Sequence, residues 1–260
     1  MKLMVIGGGG REHAIIKKLK ENPTVTEIYA LPGNGGIAAD AQCVEIGAKD
    51  IPAQVEFAKA KGIDYAVVAP DDPLALGAVD ALTAAGIPCF GPDAKAAIIE
   101  ASKAFSKDLM KKYGIPTAAY ETFTDEAAAL AYLDTVSAPI VVKADGLALG
   151  KGVIIAETID EAKDAVRSMM EDKVFGASGD KIVIEEFLTG PEVSVLSFTD
   201  GETVIPMVSS MDHKRAGDGD TGLNTGGMGT SAPNPYYTPA MARMVGRKMV
   251  SMHSWAMAGV

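Results

Sequence analysis

The first twenty residues narrow the fold more than any other part of the chain. Lys2-Leu3-Met4-Val5-Ile6 has the character of a short buried strand, and Gly7-Gly8-Gly9-Gly10 follows at once. The next stretch carries Ala14, Ile15 and Leu19 at helical spacing. Strand-like runs recur at 27–31, 43–46, 65–69 and 88–91, with helical segments near 51–61 and 74–85. Strand and helix alternating at this spacing predict a parallel sheet. The fold class is therefore α/β, with a Rossmann-like N-terminal domain over 1–92.

Residues 95–113 read as one amphipathic helix, stopped by Gly114 and Pro116, so 93–116 is expected to be a linker helix. A second pattern follows: strand 118–123, helix 125–135, strand 140–144, a glycine turn, strand 152–156, helix 160–172 and strand 181–186. Thr158 with Glu161 forms a capping box before the second of these helices. This is a small α+β unit over 117–190 with a glycine-rich hairpin. A long strand pair, 192–199 with 202–209, is expected to open a further subdomain over 191–260.

With 260 residues, 48% of them hydrophobic, the chain can bury a core and form two domains. Its 24 basic and 34 acidic residues leave a net charge of -10. That argues against a broad nucleic-acid or membrane surface. It leaves room for a local anion site built from glycine amides and a few cations. Cys43 and Cys89 have no metal-ligand spacing and read as reduced thiols of a cytoplasmic protein. No apolar run approaches the roughly 20 residues of a membrane span.

The glycine turn after the first strand fails the dinucleotide fingerprint: counting from Gly7 the last position is Glu12, and from Gly8 it is His13. Nor does the second strand end on an acid for a ribose hydroxyl, because Pro32 follows Leu31. NAD is thereby disfavoured. A phosphate or phosphosugar site with Arg11 as donor remains, and a tight turn without a ligand is the alternative. Lys143-Ala144-Asp145-Gly146-Leu147-Ala148-Leu149-Gly150-Lys151-Gly152 is not a P-loop either. Only three residues separate Gly146 from Gly150, and Gly152 stands where Ser or Thr would meet magnesium. It reads as a glycine hairpin between two strands. Lys143, flanked by Val142 and Ala144, calls for an anionic partner; a surface lysine on an edge strand is the alternative.

Glu185 and Glu186 close a strand and, paired with that hairpin, point to an adenine edge, with Glu192 placed for ribose hydroxyls. The densest segment is 210–229, where Asp212-His213-Lys214-Arg215 precedes a run with six glycines. So much glycine beside concentrated charge fits a polyanionic ligand, against the alternative of an acidic, glycine-rich linker.

Taken together, the chain resembles the ATP-grasp ligases, and among them the glycinamide ribonucleotide synthetase (phosphoribosylamine–glycine ligase) family. The matching pieces are Gly9-Gly10-Arg11-Glu12-His13, Pro32-Gly33-Asn34, Ser102-Lys103-Ala104-Phe105, the hairpin from Lys143 to Gly152, Glu185-Glu186-Phe187-Leu188, Asp212-His213-Lys214-Arg215 and Asn224-Thr225-Gly226-Gly227-Met228-Gly229. The resemblance implies a pre-ATP-grasp N-terminal domain followed by an incomplete ATP-grasp module. It implies ATP with Mg²⁺ (or Mn²⁺), and glycine and 5-phosphoribosylamine as substrates joined through a glycyl phosphate. It implies nucleotide contacts at Lys103, Lys143, Gly150, Lys151, Gly152, Glu185, Glu186, Leu188 and Glu192. Phosphoribosylamine would lie at Gly9, Gly10, Arg11, Asn34 and Asp71. The acyl-phosphate chemistry would lie at Asp212, Lys214, Arg215, Thr225, Gly226 and Gly227.

Three departures accompany the match. Ala69-Pro70-Asp71 stands where the family usually has Gly-Pro-Glu, so the acid is one methylene shorter. Leu223 replaces a usual proline, which implies a looser loop. The family's metal ligands would follow Val260, so no metal ligand is assigned, little ligase activity is expected from this chain alone, and apolar faces over 193–250 are expected to be left uncovered. Two alternatives stay open: a fragment that only binds nucleotide or phosphosugar, and another ATP-grasp carboxylate–amine ligase. The proximity of 212–215 to 224–229 disfavours the latter. Lys103, Lys143 and Asp212 are expected to converge on one triphosphate tail.

Overall fold

The structure, a computed structural model, describes residues 1–147, 152–219, 221–225 and 227–246. It divides into two compact units, Met1–Ser102 and Lys103–Val260.

The first unit contains strands β1 (Lys2–Gly7), β2 (Glu27–Pro32), β3 (Gln42–Cys43), β4 (Tyr65–Val68) and β5 (Cys89–Phe90). Its helices are α1 (Gly10–Leu19), α2 (Ile51–Lys61), α3 (Asp71–Ala75), α4 (Ala78–Ala84) and α5 (Ala94–Ala101). The strands form one parallel sheet in the order β3-β2-β1-β4-β5. The unbroken apolar run of β1 follows from burial on both faces. Leu3 and Val5 join Ile28, Ala30, Val67 and the α1 residue Ile16 on one side. Met4 and Ile6 join Tyr29, Leu31, Val68 and the α4 residue Leu82 on the other. Helix α2 begins where Asp50 accepts from the Ala53 amide and ends at Gly62 in the left-handed region, with φ 63°.

The second unit opens with α6 (Lys103–Tyr113), followed by β6 (Tyr120–Phe123), α7 (Glu126–Leu133), β7 (Ile140–Ala144), β8 (Val153–Ala156), α8 (Ile159–Met170) and β9 (Ile182–Glu186). The four strands make an antiparallel sheet in the order β6-β9-β7-β8. Strand alternation splits its residues cleanly. Ile140, Val142, Ala144, Ile182 and Ile184 face Ala129 and Leu133 of α7 and Ala162, Val166 and Met169 of α8. The opposite face carries Tyr120, Val141, Lys143, Val183 and Glu185, with Tyr120 and Val141 both paired to Glu185. Helix α8 is capped by Thr158, which accepts from the Glu161 amide at 3.2 Å. Glu161 returns its carboxylate to the Glu157 amide, one residue short of the reciprocal bond of the expected capping box.

Two expectations change. The single helix over 95–113 is two, α5 and α6, with Ser102 extended between them at φ -131° and ψ 112°. The turn after β7 explains the break. The Asp145 carbonyl accepts from the Lys103 amide at 3.2 Å, and its side chain accepts from the Ala104 amide at 2.6 Å, so the first amides of α6 are satisfied from outside. The long strand pair shrinks to β10 (Ser197–Thr199) against β11 (Val204–Pro206), plus one bridge between Ser194 and Ser210. Leu196, Phe198, Ile205 and Val208 are exposed there. Short paired segments follow: β12 (Met211–Asp212) with β15 (Thr230–Ser231), and β13 (Arg215–Gly217) with β14 (Thr221–Asn224), before helix α9 (Pro239–Val245).

Candidate functional site

In the first unit, the sheet reverses direction of growth between β1 and β4, and ligands of open parallel sheets gather at the strand ends of such a point. The loop there is braced from several sides. Gly9, the residue before α1, donates its amide to the buried Glu12 carboxylate at 2.5 Å. Asn34 donates its amide to the Gly8 carbonyl at 2.7 Å, and its side-chain oxygen accepts from Ile37 at 2.8 Å. Gly33 donates to the Gly7 carbonyl at 3.1 Å. Gly10, Arg11 and Asp71 stand exposed around this turn, Asp71 as the first residue of α3. His13 and Lys20 both reach Asp40, each at 2.8 Å, and tie α1 to the segment that follows Asn34.

In the second unit, the face of the sheet turned away from α7 and α8 holds a buried ionic cluster, to which α6 contributes. The Lys107 ammonium lies 2.6 Å from one Glu185 oxygen, and the Lys143 ammonium pairs with the other. Side-chain exposure is 7% for Glu185, 11% for Lys107 and 27% for Lys143. Burial raises the Glu185 pKa, but the two ammonium groups outweigh it and hold the carboxyl below its ordinary range. Lys107 also donates to Thr117 at 2.7 Å and lies 5.5 Å from the Tyr120 ring centre. The anionic partner expected of Lys143 is thus a carboxylate of the chain itself. Lys103 donates to the Gly146 carbonyl at 3.0 Å, beside the Asp145 contacts that start α6. Gly152 closes the base of the hairpin by accepting from Ala144 at 2.8 Å. Glu186 accepts from the Ala119 amide at 3.2 Å, and Leu188 is exposed. Gly150 and Lys151 lie outside the described residues, as does Gly226.

The later segment forms its own network. Thr225 donates both its amide and its hydroxyl to the Lys214 carbonyl, at 2.7 and 2.8 Å. Gly227 donates to the Thr225 hydroxyl at 3.0 Å, and its backbone passes the Asp212 carboxylate. The Lys214 ammonium bonds both Glu192 oxygens, at 2.8 and 3.1 Å, and stands 4.0 Å from Asp212. Arg215 donates to the Gly222 carbonyl at 2.7 Å. The residue expected at ribose and one expected at the acyl phosphate are therefore directly bonded.

Sequence reasoning missed two residues. Lys107 lies on a helix rich in lysine, where it looks like part of a solvated face; the packing of α6 on β9 brings Glu185 to it. Asn234 is buried and donates to the carbonyls of Glu192 and Ser210, at 2.7 and 3.1 Å. The Asn-Pro that contains it gave no signal beyond a turn. Among the described residues, no group of three or more His, Cys, Asp or Glu is placed to hold a metal ion.

Comparison with known proteins supplies the remaining link. Residues 1–100 match the phosphoribosylglycinamide synthetase N domain, and residues 101–258 match that family's ATP-grasp (A) domain. The chain is 52% identical over 252 residues to a phosphoribosylamine–glycine ligase of Vibrio cholerae, covering 96% of this chain and 59% of that protein. It is 52% identical over 240 residues to the ligase of the same name from Escherichia coli, covering 92% of this chain and 56% of that protein. The crystal structure of phosphoribosylamine–glycine ligase from Thermotoga maritima superposes with a TM-score of 0.82 at 29% identity, over 98% of this chain and 61% of that one. The chain thus spans well under two thirds of its relatives' length. With both of its halves matched in order, it belongs to the phosphoribosylglycinamide synthetase family.

Proposed function

We propose that the chain serves the ATP-dependent ligation of glycine to 5-phosphoribosylamine. The glycine carboxylate takes the terminal phosphoryl group of ATP, releasing ADP. The amine of phosphoribosylamine attacks the acyl carbon, and inorganic phosphate leaves with the formation of glycinamide ribonucleotide, a step of purine biosynthesis. The observation that carries this reading is the 52% identity to a ligase of that name over 96% of the chain.

Phosphoryl transfer is governed by position and charge neutralisation rather than covalent help from the protein. Lys143 and Lys107, both on the Glu185 carboxylate, bring more positive than negative charge to this face of the sheet. In this reading Glu185 accepts from the adenine amine, and the Glu186 and Leu188 backbones line the base. Glu192 meets the ribose, and Lys103 with the 150–152 hairpin approaches the phosphates. Gly9, Gly10, Arg11, Asn34 and Asp71 receive phosphoribosylamine. Asp212, Lys214, Arg215 and the 225–227 loop hold the glycyl phosphate.

Bound Mg²⁺ (or Mn²⁺) would neutralise phosphate charge during transfer; no described residue is assigned to hold it. A cytoplasmic setting with free thiols at Cys43 and Cys89 belongs to the same reading.

The test measures ADP release by the polypeptide that carries these residues, supplied with ATP, Mg²⁺, glycine and freshly generated phosphoribosylamine. Release that requires glycine and phosphoribosylamine together supports the proposal. Release driven by formate or bicarbonate in place of glycine overturns it. Calorimetric ATP binding by the 260-residue chain, measured beside turnover, separates binding from ligation.

A further inference from the structure

We propose that Glu185 and a polyphosphate compete for the Lys143 ammonium, so that phosphate binding frees a Glu185 oxygen to accept from the base. The inference rests on the nucleotide reading above and adds a coupling between the two ends of the nucleotide.

The two lysines on Glu185 are held unequally. Lys107 has three attachments: one Glu185 oxygen at 2.6 Å, the Thr117 hydroxyl at 2.7 Å and the Tyr120 ring at 5.5 Å. Among the described residues, Lys143 has Glu185 as its ion-pair partner and nothing comparable besides. It is also the more exposed of the two, at 27% against 11%. Lys143 is therefore the cation that can turn to an incoming anion.

Glu185 cannot lose both cations. It is 7% exposed, and an uncompensated buried carboxylate is strongly unfavourable. Lys107 keeps it ionised after Lys143 departs. The freed oxygen then becomes a charged acceptor, the stronger kind of hydrogen-bond partner for an exocyclic amine. The polyphosphate and the base thereby favour each other's binding, and such coupling is reciprocal. Without the exchange, the two ends would bind independently.

The experiment uses inorganic tripolyphosphate and adenosine as separate probes on the unmodified chain, read by calorimetry or ligand-observed NMR. Saturating tripolyphosphate is expected to tighten adenosine binding by about 5-fold or more. Glu185→Gln, checked for folding by circular dichroism, is expected to bind tripolyphosphate more tightly than the parent and to lose the coupling. If that variant does not fold, the coupling on the unmodified chain decides alone. Adenosine binding that is unchanged or weakened by tripolyphosphate, in a chain that still binds ATP, overturns the exchange and leaves the nucleotide reading standing. Failure to bind ATP overturns both.

Discussion

The Glu12 carboxylate closes the glycine turn from beneath, accepting the Gly9 amide at 2.5 Å from one turn further along the same helix. Gly7 lies against it with φ +125°, and a methyl group there would come within 2.6 Å of Glu12 Cγ and 2.9 Å of Pro70 Cγ. Gly7→Ala should therefore destabilise the first unit by about 2–4 kcal/mol, through backbone strain and overpacking together. Glu12→Ala should cost about 1–2 kcal/mol and Glu12→Gln less, because the amide oxygen can still accept. Urea denaturation of the three variants checks the order.

Asp40 should show itself at low pH. Its hydrogen bond from Lys20, then that with His13, lowers the carboxyl pKa from 3.8 to about 2. A depressed folded-state pKa stabilises the fold above the unfolded value and loses that contribution as pH falls through the folded one. Melting temperatures should drop between about pH 4 and 2. In Asp40→Asn that part of the drop should be missing. A carboxyl NMR titration that places Asp40 near 3.8 would remove the basis for this expectation.

Tyr120 makes the opposite prediction at high pH. Burial, and then its hydrogen bond to Asp108 at 2.8 Å, pushes the phenol from 10.0 up to about 12. A raised pKa gives stability that is complete below the unfolded value and is lost as pH rises through the folded value, here from 10.0 to about 12. Absorbance at the phenolate band should show, beside Tyr29, whose hydrogen bond to Glu27 also raises its phenol pKa, a late-titrating tyrosine that is absent in Tyr120→Phe. Asp108→Asn should bring it down only part of the way, because burial is the larger cause.

Asn234 bonds the carbonyls of Glu192 and Ser210 and accepts from the Tyr236 amide at 2.8 Å. Asn234→Leu would take these bonds from the Glu192 carbonyl and the Tyr236 amide, while the Ser210 carbonyl keeps its bond from the Ser194 amide. It should destabilise the segment by about 1–3 kcal/mol. Hydrogen exchange should quicken at the Ser194 and Ser210 amides, which bond each other's carbonyls nearby at 2.8 and 2.9 Å. Unchanged protection there would show that Asn234 does not hold the bridge.

The parts of the fold legible in the sequence are those where a local pattern has one physical solution. Leu3 to Ile6 has no polar position, so it must be covered on both faces, and it is. Val141 to Ala144 alternates around Lys143, which put that lysine on the face opposite Val142. The helix break at Ser102 was illegible because its cause, the Asp145 carboxylate, stands 41 residues from the Ala104 amide it caps. The Lys107–Glu185 pair was hidden for the same reason: it depends on the packing of α6 against β9, far along the chain. The long strand pair after Glu192 failed because, among the described residues, no layer covers its apolar side chains; there Ser197–Thr199 pairs with Val204–Pro206 and Ser194 bridges Ser210.

The central strand β1 has one more consequence. Met4, Val5 and Ile6 are fully enclosed, two facing one core and the third facing the other. Such a strand has no outward side on which sequence drift can accumulate. Saturation mutagenesis should find it the least permissive stretch of the first unit, tolerating change at Lys2 and almost nowhere else before the glycines.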